Sequence, residues 1–371
     1  MMRVLQIANG YFGNRLYKNL FAVQEKLGID NIIYVPVLKS FPVPGDEPEN
    51  VIFSPCFSTL DRLLFFRKQR KMLQDLKKRD LNHFDVIHAH TVFSGGYSAY
   101  QLHKKHGTPY IVAVRNTDVN IFFKYMLHLR KTGMEILRNA EKIIFLSPAY
   151  QKHVISTYVP NRYREEITKK SMVLPNGIAG IFFESIAQPK RLQHPNAIRL
   201  IYVGEFTSNK NLELTIEAAS QLRKQGMDVS ITAVGSVTEE KYGQLMKKTP
   251  FLTHYDRCPQ EEVIHHLQQA DIFVMPSHAE TFGLVYAEAM SQGLPVLYTR
   301  GQGFDGHFPD ETVGYAVSDT DAEELAEKIK NTISNYEKLS ANCVQLVKTF
   351  QWESIAEEYK EIYQSIVSKG D

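Results

Sequence analysis

The sequence predicts an α/β protein with two domains, each built on a parallel β-sheet. Strand-like apolar runs alternate with helical patterns along the whole chain, as parallel sheets require, because their strands are joined by helical crossovers. At 371 residues the chain is longer than one hydrophobic core usually serves. A segment with Pro189 and Pro195 precedes a new strand-like run at 198–204. We therefore expect domains at 1–178 and 195–350.

Individual elements follow from the spacing of apolar residues, which has a period of two in strands and about 3.6 in helices. In the first half, the predicted strands lie near 2–8, 31–35, 84–88, 109–114, 142–146 and 171–174, and the predicted helices at 15–27, 60–79, 96–106 and 120–139. The proline-rich stretch 36–58 predicts an irregular loop. In the second half, the predicted strands lie at 198–204, 228–234, 271–275 and 294–298, and helical patterns follow from about 321. The last pattern, 351–368, carries one apolar stripe.

The net charge of +2 hides an asymmetry between the halves. Residues 1–190 carry 27 Lys and Arg against 15 Asp and Glu, whereas residues 191–371 carry 16 against 26. The basic half is expected to meet an anionic partner or surface. Alternatively, the opposite charges help the halves to attract one another.

Cysteine usage and hydropathy predict a cytoplasmic protein, soluble or peripheral on the inner face of the cell membrane. Cys56, Cys258 and Cys343 offer no disulfide framework and no metal-like spacing. The apolar N-terminal run is too short for a signal sequence, and no stretch approaches the length of a membrane-spanning helix.

The most informative segment is 277–290, which follows a buried strand pattern and opens a short helix near Gly283. The free N–H groups of a helix start favour an anion such as phosphate, and glycine lets a ligand approach the backbone closely. Glu280 and Glu288 bracket this point. Because carboxylates repel phosphate, they are better suited to accept hydroxyl groups of a sugar and a ribose.

This segment resembles retaining glycosyltransferases of family 4, which have the GT-B fold of two facing Rossmann-like domains and a terminal helix that returns to the first domain. Their hallmark, Pro-Ser-x-x-Glu-x-Phe-Gly-x-x-x-x-Glu-Ala, is present here without interruption. The resemblance implies that Glu280 is the catalytic residue facing the transferred sugar and that Glu288 binds the ribose. It also implies that the backbone of Phe282, Gly283 and Leu284 holds the donor diphosphate.

A second loop of the donor domain, 204–211, follows its first strand. The family usually has an arginine and a lysine here that neutralise the leaving diphosphate. Gly204 and Lys210 match this pattern, but Glu205 occupies the arginine position. Neutralisation would then depend on Lys210 and helix amides. The alternative is a plain surface lysine at a helix start.

The first half offers weaker candidates for donor and acceptor binding. Gly13 lies where the family shows a glycine pair, although a tight turn is an equal alternative. His88 and His90 share one face of a strand, and we expect His90 either to line a cleft or to be structural. Arg115 and Asn116 replace a family histidine, so that histidine's role is not transferred. Arg115 could instead reach an acceptor phosphate or the donor sugar.

No metal or cofactor is predicted. The segment Asp319-Thr320-Asp321 superficially resembles an Asp-x-Asp metal motif, but it precedes a helical pattern and is better explained as a helix N-cap.

Residues 62–79 predict a helix with eight basic residues and one acid. Basic and aromatic residues together favour an anionic membrane surface, and a lipid-linked acceptor would require such proximity. The alternative is the solvated face of a core helix. No motif for nucleic acid accompanies the charge, so no nucleic acid is expected.

The resemblance implies transfer of a sugar, with retained configuration and without metal, from a nucleotide sugar to a sugar hydroxyl of a glycan or lipid-linked acceptor. We expect a UDP-sugar donor. The stretch 115–125 resembles capsule and exopolysaccharide glycosyltransferases, which implies a role in surface polysaccharide biosynthesis. The alternatives are a non-catalytic sugar-nucleotide-binding subunit and another GT-B enzyme, such as a nucleotide-sugar epimerase.

Overall fold

A computed structural model describes residues 2–12, 15–45, 48–79, 81 and 83–368. The predicted fold class is confirmed, because the chain forms two α/β units with parallel sheets. Unit 1 comprises Met1–Leu146, Gln151–Pro175 and Trp352–Asp371, and unit 2 comprises Ser147–Tyr150 and Asn176–Gln351.

The sheet of unit 1 has the strand order β3-β2-β1-β4-β5-β6-β7, and its paired strands are parallel. Its strands are β1 Met2–Ile7, β2 Ile29–Leu38, β3 Val51–Phe57, β4 Val86–Ala89, β5 Tyr110–Ala113, β6 Lys142–Phe145 and β7 Ser171–Val173. Its helices are α1 Arg15–Lys26, α2 Thr59–Leu63, α3 Phe65–Lys78, α4 Gly96–His106, α5 Arg130–Asn139, α6 Pro148–Tyr158, which starts in unit 2, and α7 Asn161–Lys170.

The sheet of unit 2 has the strand order β10-β9-β8-β11-β12-β13, again parallel. Its strands are β8 Ala197–Val203, β9 Asp228–Val234, β10 Leu252–Tyr255, β11 Ile272–Met275, β12 Val296–Thr299 and β13 Gly314–Val317. Its helices are α8 Ile181–Glu184, α9 Leu212–Lys224, α10 Glu240–Lys247, α11 Gln260–Gln269, α12 Leu284–Ser291, α13 Ala322–Ser334 and α14 Tyr336–Leu346.

The last helix, α15 Trp352–Val367, packs in the core of unit 1. Its apolar stripe has the helical spacing seen in the sequence and is buried against α1 and the sheet. The buried side chains of this stripe are Trp352, Ile355, Ala356, Tyr359, Ile362, Tyr363 and Ile366.

Several element predictions were wrong. Strand β3 lies in the segment 36–58 that was predicted as an irregular loop, and Pro55 is tolerated there because β3 is an edge strand. Strands β10 and β13 were missed. The predicted helix 60–79 is broken at Leu64, whose φ of −112° and ψ of 86° are not helical. In the predicted helix 120–139, only α5 is a regular α-helix.

Candidate functional site

The strand order of unit 2 reverses between its neighbouring strands β8 and β11. In an open parallel sheet, ligands bind outside the carboxyl ends of the strands at such a reversal. Two segments leave the sheet there, the β8 loop at 204–211 and the β11 loop at 276–283. These are the segments in which the sequence places most of the donor-binding candidates.

The structure brings Lys210 and Glu280 into direct contact. The Nζ atom of Lys210 forms a salt bridge with Oε2 of Glu280, and both side chains are largely shielded from solvent. The other carboxylate oxygen of Glu280 accepts a hydrogen bond of 3.0 Å from the backbone N–H of Thr281. A positive and a negative group are therefore held side by side at the strand reversal.

Backbone and amide contacts join the same two loops. Asn209 exchanges two hydrogen bonds with the backbone of Ala279, at 2.9 and 3.0 Å. The amide of Asn211, a residue with φ of 55°, donates to the carbonyl of Pro276 at 3.0 Å. These contacts fix the position of Lys210 relative to Glu280.

The β11 loop ends at Gly283, whose φ of +79° lies in the left-handed region. A Cβ atom there would lie 2.4 Å from the ring of Tyr286, so the position requires glycine for two reasons. Helix α12 begins at the next residue, Leu284, and no side chain of the described residues caps its first turn. The N–H of Tyr286 donates to the carbonyl of Gly283 at 3.1 Å, whereas those of Leu284 and Val285 are available to an anionic ligand. Phe282 itself is buried.

Glu288 lies within α12 and is partly buried. Its carboxylate has no hydrogen-bond or ion-pair partner among the described residues, and burial raises its pKa to about 7. A carboxylate in this state has both oxygens free to accept hydrogen bonds from a ligand. It would also be about half protonated near neutral pH.

Two glycines that support this site were missed in the sequence. A Cβ atom on Gly303 would lie 2.3 Å from the backbone nitrogen of Phe282, and its own N–H donates to the carbonyl of Glu280 at 2.8 Å. A Cβ atom on Gly235 would lie 1.9 Å from the carbonyl oxygen of Gly204. Both glycines lie in loops distant in sequence from the backbone that they approach. No local motif could have identified them.

In the β8 loop, Gly204 ends the strand and donates from its backbone N–H to Val234 at 2.9 Å. Glu205, which occupies the position of the family arginine, is exposed and forms no ion pair among the described residues. Lys210 is thus the cation that this loop holds against Glu280.

The two histidines of unit 1 are buried. His90 was predicted to line a cleft or to be structural, and its side chain has no exposed surface. Its Nε2 lies 2.8 Å from Oε1 of Gln6, and its ring stacks on that of His88 at 3.9 Å. His88 Nδ1 lies 2.7 Å from the hydroxyl of Tyr363 in α15. Burial lowers the pKa of both histidines well below the usual value, so both are neutral.

Arg115 is held at its backbone by a buried carboxylate that the sequence did not single out. Asp118 accepts hydrogen bonds from the N–H groups of Val92, Phe93 and Arg115, at 3.0, 3.1 and 3.0 Å. Burial raises the pKa of Asp118 to about 6 despite these donors. Asp118 therefore ties the loop after β4 to the loop after β5.

The remaining candidates are not brought together with these groups. Asn116 is exposed and accepts a hydrogen bond of 2.6 Å from the side chain of Asn120. Gly13 lies outside the described residues.

The helix N-cap predicted at 319–321 is confirmed. The carboxylate of Asp321 accepts from the N–H of Glu324 at 2.9 Å. Asp319 instead pairs with Nδ1 of His278 at 2.7 Å.

Comparison with known proteins agrees with this architecture. The family described as "Glycosyltransferase Family 4" matches residues 14–179, and the family described as "Glycosyl transferases group 1" matches residues 184–349. The fold and the two matches define a glycosyltransferase with the GT-B fold. The chain belongs to the group 1 glycosyltransferases of family 4.

Three proteins similar to this chain come from the sequence and structure comparisons. A D-inositol 3-phosphate glycosyltransferase of Paenarthrobacter aurescens is 24% identical over 317 residues, which cover 81% of this chain and 76% of that protein. The structure of Anabaena HepE in complex with UDP-glucose has a TM-score of 0.68 at 15% identity and covers 98% of this chain and 100% of that one. The apo form of the lipopolysaccharide outer core galactosyltransferase WaaB has a TM-score of 0.73 at 12% identity, covering 98% and 99%. At these identities the two structures establish the fold alone.

We predict that Gly303→Ala destabilises the β11 loop, because the new methyl group would overlap the backbone at Phe282. Relief requires the loop to move, at an expected cost of about 1–3 kcal/mol in the free energy of unfolding. Chemical denaturation measures this cost. Gly243→Ala in α10 is the matched control, because a Cβ atom there meets its nearest neighbour at 3.9 Å. Equal stabilities of the two variants would contradict the close approach.

Proposed function

We propose that this protein transfers a sugar from a UDP-sugar donor to a sugar hydroxyl of a glycan or lipid-linked acceptor, with retained anomeric configuration, in surface polysaccharide biosynthesis. The observation that carries the proposal is the contact of Lys210 with Glu280 at the strand reversal, beside the uncapped start of α12. The HepE complex contains UDP-glucose, which supports a UDP-sugar donor. WaaB is a lipopolysaccharide galactosyltransferase, which supports a surface glycan acceptor.

In this proposal the donor diphosphate binds between Lys210 and the first N–H groups of α12. The diphosphate competes for the Lys210 ammonium that now pairs with Glu280. Glu280 is then free to accept a hydroxyl hydrogen bond from the transferred sugar. The ion pair keeps Glu280 positioned until the donor arrives.

Glu288 would accept hydrogen bonds from the ribose hydroxyls. Its carboxylate lacks partners within the described part of the chain, and burial disfavours its charged form. Hydrogen bonds from two ribose hydroxyls would offset part of the cost of burying the ionised carboxylate. Nucleotide binding would therefore lower the pKa of Glu288.

Retention of configuration requires the acceptor hydroxyl to attack on the face that the leaving group vacates. We propose that the leaving diphosphate itself takes the proton of the attacking hydroxyl, and that Lys210 and the α12 amides stabilise the developing negative charge. Such a reaction needs neither a protein nucleophile nor a metal at the diphosphate. Glu280 would orient the sugar.

We also propose that unit 1 docks on the anionic inner face of the cell membrane through α2 and α3. Apolar side chains protrude around the break between the helices, with Leu60 67%, Leu63 81%, Leu64 52% and Phe66 51% exposed. Beside them, a groove of about 640 Å³ between α3 and α4 is lined by basic side chains, among them Arg70, Lys77, Lys104 and Lys105. Apolar insertion next to cationic groups fits anionic lipid. Among the described residues, no helix is long and apolar enough to cross a membrane.

Not all basic residues of segment 62–79 are free to contact lipid. Arg67 and Lys71 pair with Asp61, whose side chain is fully buried and caps α2 together with Ser58. These two basic residues therefore hold the helix break in place. Arg62, Arg70 and the basic residues of the groove remain for lipid.

The first prediction concerns the pH dependence of UDP binding. Because the ionised form of Glu288 accepts the ribose, UDP affinity should fall as the pH is lowered from about 8 to about 6, and Glu288→Gln should remove that part of the dependence. Calorimetric titration of the wild type and of Glu288→Gln with UDP separates the contribution of Glu288 from that of protonation of UDP itself, because the latter is common to both proteins. Equal UDP affinity of the two proteins at about pH 8 would remove Glu288 from the site.

The same variant should be more stable without ligand. The pKa of Glu288 is about 7 in the folded protein and 4.5 in the unfolded chain. The folded state therefore loses stability as the pH rises from 4.5 towards about 7, because the buried carboxylate must then ionise. Above about pH 7, the free energy of unfolding of Glu288→Gln should exceed that of the wild type by on the order of 2 kcal/mol.

The second prediction separates Glu280 from Lys210. Glu280→Gln should lower sugar transfer by at least about 100-fold with little loss of UDP affinity, because its partner is the sugar. Lys210→Ala should weaken UDP by about tenfold or more and spare uridine, because it loses a charge-assisted contact to phosphate. Glu205→Gln is the control for removing an acid from the β8 loop. Parallel losses of UDP binding and transfer in Glu280→Gln would overturn its assignment to the sugar.

The third prediction tests membrane docking by sedimentation with anionic vesicles. Wild-type protein should bind and should dissociate as salt is added, because exposed charges are screened beyond about 8 Å at physiological salt. Leu63→Ser with Arg70→Gln should abolish binding, whereas Lys247→Gln with Lys248→Gln in unit 2 should not. Wild-type protein that stays in solution at low salt would exclude docking.

A further inference from the structure

Unit 2 holds a group of three potential metal ligands that the proposed transfer does not use. The ligand atoms of Cys258, Glu262 and His266 all lie within 4.8 Å of one another. They are spaced four residues apart, so that Glu262 and His266 occupy successive turns of α11 and Cys258 precedes the helix. Among the described residues, this is the one such group of three.

His266 shows that the group is more than a surface coincidence. Only 7% of this residue is exposed, and its buried Nε2 has no hydrogen-bond partner among the residues that the structure describes. Packing on the ring of Tyr255, 4.3 Å away, accounts for the burial of the imidazole but not for the unpaired nitrogen. Leaving a buried polar atom unpaired usually costs about 1–3 kcal/mol. That nitrogen lies 3.9 Å from a carboxylate oxygen of Glu262.

We propose that Cys258, Glu262 and His266 bind a zinc ion, with water in the fourth position. A thiolate, an imidazole and a carboxylate are all zinc ligands, and three protein ligands with one open position are a recurrent zinc arrangement. Zinc–ligand bonds of about 2.0–2.3 Å place tetrahedral ligand atoms about 3.3–3.6 Å apart. The ligand atoms, which lie within 4.8 Å of one another, would have to approach by about 1 Å when the ion binds.

The site would link the loop after β10 to α11. Cys258 lies in the short segment that leaves the carboxyl end of β10, and the other two ligands lie in the helix that follows. A bound ion would therefore stabilise unit 2 by joining an edge strand's loop to its next crossover. Sequence spacing between cysteines gave no sign of this site, because only one cysteine contributes.

Cobalt titration of the full chain, stripped with a chelator and kept reduced, tests the proposal. Cobalt(II) bound to a thiolate in a tetrahedral site gives a sulfur-to-metal charge-transfer band and intense visible absorption. The wild-type protein should bind one equivalent, and zinc should displace it and raise the unfolding temperature.

Matched variants identify the ligands. Cys258→Ser should abolish the charge-transfer band, and Glu262→Gln, an exposed change that leaves the fold intact, should weaken cobalt binding by at least about tenfold. Cys56→Ser and His265→Gln, which change the other partly exposed cysteine and the neighbouring histidine, should behave like wild type. Absence of the band in wild-type protein, or its persistence in Cys258→Ser, would overturn the site.

Discussion

The reversal of strand order between β8 and β11 is the constraint on which the candidate site depends. Crossovers on the two sides of such a reversal lead to opposite faces of the sheet, which leaves space at the carboxyl edge. Lys210 and Glu280 are 70 residues apart in sequence and meet because their strands are neighbours. The amide contacts between Asn209 and Ala279 then hold the loops at a fixed separation. The charged pair is therefore a consequence of topology.

Unit 1 has the same reversal between β1 and β4, and two buried histidines lie there, near the charge of Arg115. Gln6 lies in β1, and its side-chain Oε1 forms a hydrogen bond with Nε2 of His90, the residue that follows β4. The hydroxyl of Tyr363 completes the group by bonding His88. Buried imidazoles lose their charge, and Nε2 of His88 and Nδ1 of His90 are buried without a hydrogen-bond partner among the described residues. The last helix thus contributes polar as well as apolar contacts to unit 1.

Unit 2 keeps several polar groups without protein partners at its reversal. Within the described ranges, no side chain caps the first turn of α12, and the partly buried carboxylate of Glu288 accepts no hydrogen bond. Each feature lowers the stability of the ligand-free protein, since helix caps and satisfied carboxylates normally stabilise a fold. Such groups are useful to a protein that must bind a polar ligand there.

From sequence alone the α/β class and most of the strands could be predicted, and Glu280 and Glu288 could be singled out as candidate site residues, because these inferences depend on local periodicity and on residues close together in the chain. Sequence patterns did not predict β3, β10 and β13. These segments are short or contain proline, and they are strands because each pairs at an edge of its sheet. Tertiary structure alone decided that His90 is buried and that Gly303 approaches the β11 loop. The ion pairs of Asp61 with Arg67 and Lys71 of α3 likewise depend on tertiary structure. Burial, close approach and ion pairing join residues that are not periodic neighbours, and no local pattern encodes them.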